Sequence, residues 1–281
     1  MRDTREQLAA LLKSHEKPEI AIDYEPATAP LPVGASKLGG LPDVPAGFVW
    51  PRFQGTDHNG AQYDHPLSFM AQFDLAELAA FDAAKLLPQA GHLAFFYDCD
   101  EQPWGFDPKD RGCARVLYFP PGVELSQAVP PEDLDEDFQI PALKPAFSGG
   151  VSRPPREYVI DDTDGSGVED ALAAEFWPED TPDRCKLLGW PDMLQGLMEW
   201  DCQLAGAMGV NCGSGIELTP AQEQEFRAGA GDWMLLLQLG TLETRDYEMM
   251  FGDCGHIYFW IRKQDLAAGN FDNIWLVLQC S

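Results

Sequence analysis

Apolar positions change their spacing several times along the chain, and each change marks an element. Leu8, Leu11 and Leu12 recur at helical spacing, and Thr4 with Gln7 three residues later fits an amino-terminal cap, so the chain opens on a predicted accessory helix. From Pro18 to Pro51 the prolines and the Gly39-Gly40 pair exclude long helices and favour extended strands and turns. Asn59-Gly60, between Phe53 and Tyr63, predicts a tight hairpin turn. Leu67, Phe69, Ala71 and Phe73 then alternate as a half-buried strand would. Asp74 followed by Glu77 predicts a helix start, and Leu78, Phe81 and Leu86 continue its apolar face until Gly91. The run GHLAFFYD from Gly91 reads as a short buried strand.

The same order of signals returns later in the chain. KLGGLPD at 37–43 is echoed by KLLGWPD at 186–192, an offset of 149 between Pro42-Asp43 and Pro191-Asp192. SFMAQFDL at 68–75 resembles MLLLQLGTL at 234–242 with Gln72 on Gln238, an offset of 166, and GHLAFFYD resembles GHIYFWIR at an offset of 164. Buried strands share composition whatever their origin, but three matches in one order point to a duplicated unit of about 100 residues. The expected organisation is an accessory helix over 1–29, a first half over 30–131, an acidic connecting segment over 132–183 and a second half over 184–281, all within one compact domain.

Composition narrows the partners. Nineteen Lys and Arg against forty-six Asp and Glu give a formal charge of −27, a field that repels phosphate backbones and anionic lipid headgroups. Nucleic acid and membrane are therefore not expected as partners. The opening residues lack the apolar run of a signal peptide, no stretch reaches the ~20 residues of a bilayer span, and the expected location is the cytoplasm. Seven cysteines without a CxxC pair indicate neither a disulfide framework nor a cysteine-rich zinc site.

Candidate chemistry is sparse. GxSxG, GxGxxG, GxxxxGK and HExxH are all missing, which removes the best signals of hydrolase, nucleotide and zinc-protease chemistry, and no cofactor is expected. Within the acidic segment, Asp162, Asp164 and Ser166 stand at positions one, three and five of a calcium-loop pattern with Gly167 at six, but Ala173 occupies the position that requires a bidentate Glu. An Asp/Gly-rich turn explains that stretch as well. NCGSGIEL at 211–218 could present amides to an anion, though no Lys follows it. His92 and His256 fall at equivalent places before two buried strands, and Cys254 near His256 could be an activated thiol; Ala90 at the matching place in the first half argues against a shared role.

The ordered set SKLGGLPDVP, LSFMAQFDLAEL, GHLAFFYD, PWGFDPKDRGCARVLYF, CKLLGWPDMLQGLMEWDCQLA, DWMLLLQLGTL and GDCGHIYFWIRKQDLAAGNFDNIWLVLQC resembles the YwqG-like family of bacterial cytosolic proteins over roughly residues 30–281. That resemblance implies an α+β fold of antiparallel sheets with a few helices, and it carries no established catalytic residues.

Two functions fit these observations. In the first, the acidic surface binds a basic protein partner, in the manner of immunity or adaptor proteins. In the second, the groove between the two halves is a ligand or active site lined by Trp50, Gln72, Trp104, Asp107, Trp190, Gln203, Gln238 and His256. The direction of Gln72 and Gln238 separates them: side chains sharing a cleft favour the second, side chains tied to local backbone the first.

Overall fold

The computed structural model describes residues 2–57, 59–159, 175–177, 184–213 and 215–280. Helix α1 (Arg2–Ser14) is followed by β1 (Lys17–Pro26), β2 (Lys37–Leu38), β3 (Asp43–Pro45), β4 (Arg52–Thr56), β5 (Gln62–Pro66) and β6 (Ser68–Asp74). Then come α2 (Leu75–Leu78), β7 (His92–Tyr97), β8 (Ala114–Phe119), β9 (Leu125–Gln127), β10 (Leu143–Ser152) and β11 (Cys185–Leu188). The last strands are β12 (Trp233–Leu239), β13 (Leu242–Glu243), β14 (Glu248–Met249), β15 (His256–Arg262) and β16 (Trp275–Gln279). Ten of them form one antiparallel sheet in the order β16-β15-β12-β11-β1-β10-β2-β6-β7-β8.

The two wings of this sheet share their irregularities as well as their order. Pairing of β6 with β7 slips by one residue between Phe69 and Ala71, and pairing of β12 with β15 slips between Leu235 and Leu237. Those positions are related by the same offset of 166 that aligns Gln72 with Gln238. Gly39 and Gly40 have φ of +59° and +70°, and Leu188 and Gly189, 149 residues on, have +62° and +79°. A leucine in the left-handed region is costly, and it stands where the other wing has glycine.

Residues 17–26 form β1 and residues 143–152 form β10, and these two long strands pair along ten positions at the sheet's centre. The acidic connector hides this strand because Leu143 to Ser152 alternates weakly and carries Gly149 and Gly150. Each central strand also adjoins the wing that does not follow it directly in the chain: β1, which precedes the first wing, pairs with β11 of the second, and β10, which precedes the second, pairs with β2 of the first.

The sheet curls until its wings face each other and is nearly closed. Phe95 of β7 and Phe259 of β15 touch across the interior, and one apolar cluster takes in Ile20, Phe73, Phe95, Leu187, Leu237 and Ile257. Outer faces are covered too: Phe48 and Trp50 pack on Phe96, while Met198 and Cys202 lie with Trp233, Tyr258 and Trp260. Burial on both faces makes Ser68 to Phe73 buried throughout, where alternation predicted one exposed face. The free edge of β16 is closed from the opposite wing, since Leu278 N donates to Trp104 O at 3.1 Å.

Local signals fared unevenly. The hairpin at Asn59-Gly60 joins β4 to β5, and Asp74 caps α2 by accepting from Ala76 N. Helix α1 begins at Arg2 rather than after Thr4, and Leu11 faces solvent while Leu8 and Leu12 are buried. Helix α2 is a single turn, followed by a separate short turn at Asp82–Leu86, so Leu86 is exposed instead of extending an apolar face.

Candidate functional site

Each wing builds one polar node on the outer side of its strands. In the first wing, Lys37 of β2 stands opposite Gln72 of β6, with Asp43 of β3 between them. Lys37 Nζ donates to Asp43 Oδ2 at 2.7 Å and to Leu41 O at 3.0 Å. Gln72 accepts from Asp43 N at 2.8 Å and donates to Asp43 Oδ2 at 3.0 Å and Ala35 O at 3.1 Å. All three side chains are buried, so the carboxylate is desolvated and held by a matched cation and amides.

The second wing repeats the node and adds to it. Lys186 Nζ lies 2.9 Å from Asp192 Oδ2, Gln238 accepts from Asp192 N at 2.9 Å, and Gln238 donates to Asp192 Oδ2 at 2.9 Å and Arg184 O at 3.1 Å. Here the residue matching Ala35 is Arg184, whose guanidinium reaches both Asp192 oxygens at 2.7 and 2.8 Å and Glu19 Oε1 at 2.8 Å. The residue matching Ala94 is Tyr258, whose hydroxyl donates to Asp192 O at 2.6 Å. Burial alone would raise the Asp192 pKa, but hydrogen bonding from Arg184 and the charges of Lys186 and Arg184 hold it below its ordinary value. Burial pushes Lys186 down.

Arg184 also opens this node to solvent. Its side chain is 33% exposed and borders a cleft of about 620 Å³ with Glu16, Arg153, Trp177 and Asp192. The first node has no such outlet, since Lys37 and Asp43 are 3% and 1% exposed. Sequence reasoning missed the Lys and Asp members of both nodes, although the repeated K-L and P-D of the two heptapeptides carried them.

The residues expected in one groove are spread over the molecule. Phe73, Phe95 and Phe259 face the interior, so Gln72 and Gln238, next along their strands, face outward on opposite wings. They lie five strand steps apart along the sheet, about 24 Å. Trp50 donates to Leu67 O at 2.8 Å and lines a hollow in the first wing. Trp104, partly exposed, stands beside Phe106. Asp107 caps the turn Pro108–Asp110, and Arg111 crosses to Gly206 O and the Trp275 ring, so that loop is held by a cap and by the second wing. Gln203 lies in a wide helical turn (Cys202–Ala207) and accepts from Trp233 Nε1 at 3.1 Å. His256 is buried beside Tyr258, whereas His92 contacts Gly34 O at 3.0 Å, and Cys254 is exposed. Asp162, Asp164 and Ser166 lie outside the described residues.

Trp190 belongs to a different constellation. Its indole donates to His15 O at 2.7 Å, the Lys17 ammonium sits 3.2 Å above its ring, and Tyr158 packs at 4.5 Å. Glu199 borders the same small pocket with Trp200, Trp233 and Lys263, and burial raises its pKa to about 7. Burial lowers Lys17 to about 8. Burial also pushes the Cys99 thiol up to about 12 and those of Cys113 and Cys202 well above their ordinary value, the reverse of what a nucleophilic thiol needs.

Among the described residues, no three His, Cys, Asp or Glu side chains are grouped so as to hold a metal ion, and no helix is long and apolar enough to cross a membrane. No curated protein matches the chain significantly. A family model described as a domain of unknown function, DUF1963, matches residues 36–280. That span runs from the strand carrying Lys37 to the end of β16 and takes in both polar nodes, and the chain belongs to the DUF1963 family.

Proposed function

We propose that this protein is a binding module that captures a basic protein partner through its acidic surface. The observation that carries this reading is the charge of −27 combined with the fate of the cations. Lys37 and Lys186 are buried in ion pairs, and Arg52, Lys85, Lys144 and Arg184 are each matched to a carboxylate of the same chain. Each such pair neutralises one carboxylate as well as one cation, so the excess of 27 acidic side chains still sets an outward negative field, which steers cationic partners and raises their association rate. An immunity-like or adaptor-like role in the cytoplasm agrees with this, as does a place in the YwqG-like branch.

The test is capture on immobilised protein at low and high salt, followed by reconstitution with the purified partner. A basic partner whose Kd weakens at least tenfold between about 50 and 500 mM salt supports the reading. A reconstituted complex that ignores salt overturns it.

A second reading, a small ligand beside Arg184, is favoured by the cleft of about 620 Å³ that the second node borders, while Lys37 and Asp43 of the first are buried. A compound that raises the melting temperature of the protein but not of Arg184→Ala supports it. We also infer that the wings descend from one duplicated unit, because the same offsets carry the Lys, Asp and Gln of the nodes, the strand slip and the left-handed pair.

A further inference from the structure

We infer that the hollow between the β3 and β9 loops, walled by Phe48, Trp50 and Val129 and with the acidic run beside it, is the docking surface, and that it takes a partner segment presenting one large apolar side chain flanked by Lys or Arg. This inference rests on the basic-partner reading and gives it a place on the molecule. Pairing of Val44 with Ser126 sets the two loops side by side, and Ala128 N donates to Pro42 O at 2.8 Å. Between them is a hollow of about 270 Å³ walled by Pro45, Phe48, Trp50, Gln127 and Val129.

Its floor is rigid. Phe48 and Trp50 pack on the buried Phe96 ring at 6.2 and 5.8 Å, and the Trp50 indole is tied to Leu67 O. Val129, which lines the hollow, is 86% exposed, and Val49, between the wall residues Phe48 and Trp50 in the chain, is 83% exposed. Two such valines beside aromatic rings are the apolar centre that interfaces bury.

The charge beside it selects the occupant. Glu132, Asp133, Asp135, Glu136 and Asp137 are all exposed and begin three residues after Val129, with no Lys or Arg among residues 132–137. The run is held in place: Leu134 is buried, Gln139 donates to Leu134 O at 2.9 Å and Tyr247 to Asp137 O at 3.1 Å. Arg52 beside it is engaged by Asp64 and Asp133. A second copy of this chain would bring a second acidic run against the first, so a cationic partner is the complementary occupant.

The experiment measures binding of the capped peptides Lys-Lys-Phe-Lys-Lys, Lys-Lys-Ser-Lys-Lys and Glu-Glu-Phe-Glu-Glu to the full chain, with NMR shifts locating the contact. The Phe-centred basic peptide binds at least fivefold tighter than either control and shifts residues 45–50 and 127–136. Val49→Ser with Val129→Ser, and separately Glu132→Gln with Asp135→Asn and Glu136→Gln, each weaken it at least fivefold while leaving the melting temperature unchanged. Basic peptides that bind all variants equally overturn the docking surface but leave the basic-partner reading standing; failure of every basic peptide to bind overturns both. A concentration-dependent dimer lost in the serine variant assigns the surface to a second copy and overturns the inference.

Discussion

The rings of Phe95 and Phe259 meet edge to face with centroids 5.2 Å apart, and they are separated by the same 164 residues that separate His92 from His256. The contact crosses the interior from β7 to β15, so each ring is covered by the opposite wing. The pair therefore joins the wings where neither can shield it alone. Phe95→Ala and Phe259→Ala are each expected to cost about 3–5 kcal/mol, because each leaves a cavity in a core shared by both wings. In the double variant the costs fall short of additivity by about 1 kcal/mol, the share of the ring contact itself. Urea denaturation of the three variants checks this, and a single transition in all of them shows that the wings unfold together.

Lys37 and Lys186 occupy matching places, but their neighbours differ, and the difference sets the cost of removing them. Asp43 has Lys37 as its cation, whereas Asp192 and Glu19 keep Arg184 when Lys186 is lost. Lys37→Met leaves a buried carboxylate without its charge partner and is expected to cost about 3–5 kcal/mol. Lys186→Met should cost less than half as much. Denaturation midpoints of the two variants, measured together at pH 7, decide the order.

Much of this was legible in the residues themselves. Leu93 to Tyr97 and Ile257 to Ile261 read as buried strands because a doubly covered strand needs an unbroken apolar run, and both are strands. The Asp74 cap was readable because capping is local chemistry. The central pair was not: Lys17 to Pro26 and Leu143 to Ser152 are rich in Pro, Gly and charge, and they become strands only because each finds partners on both sides. The site was less legible still. Gln72 and Gln238 stood out as a matched pair, yet nothing in a linear pattern says that outward-facing strand positions separate them. Arg184 and Asp192 flank β11, but Glu19, 165 residues from Arg184, joins them only once β1 lies against β11.

Gly39 is held at φ +59°, and an added Cβ would stand 2.5 Å from Pro141 O and 2.6 Å from the Ile140 side chain. Both the left-handed backbone and the backbone oxygen oppose any side chain there. Gly39→Ala should destabilise the protein by about 2 kcal/mol or more, read as a lowered melting temperature. Gly47, also left-handed at φ +80° but with nothing near its Cβ, supplies the control: Gly47→Ala pays only the backbone term, about 1 kcal/mol.

Glu199 gives the stability of the fold a dependence on pH that runs opposite to that of a salt-bridged carboxylate. It is 7% exposed, and burial lifts its pKa from 4.5 to about 7. Below pH 4.5 the carboxyl is protonated in folded and unfolded chains alike and contributes nothing. Between pH 4.5 and about 7 the folded protein holds a proton that the unfolded chain releases, so stability falls as pH rises, by about 3 kcal/mol in all. Glu199→Gln carries no such proton. The variant should match the native protein near pH 4.5 and exceed it in stability near pH 8, with urea midpoints across that range as the measurement. Midpoints that run parallel at every pH would show that Glu199 ionises in the folded protein as it does in water.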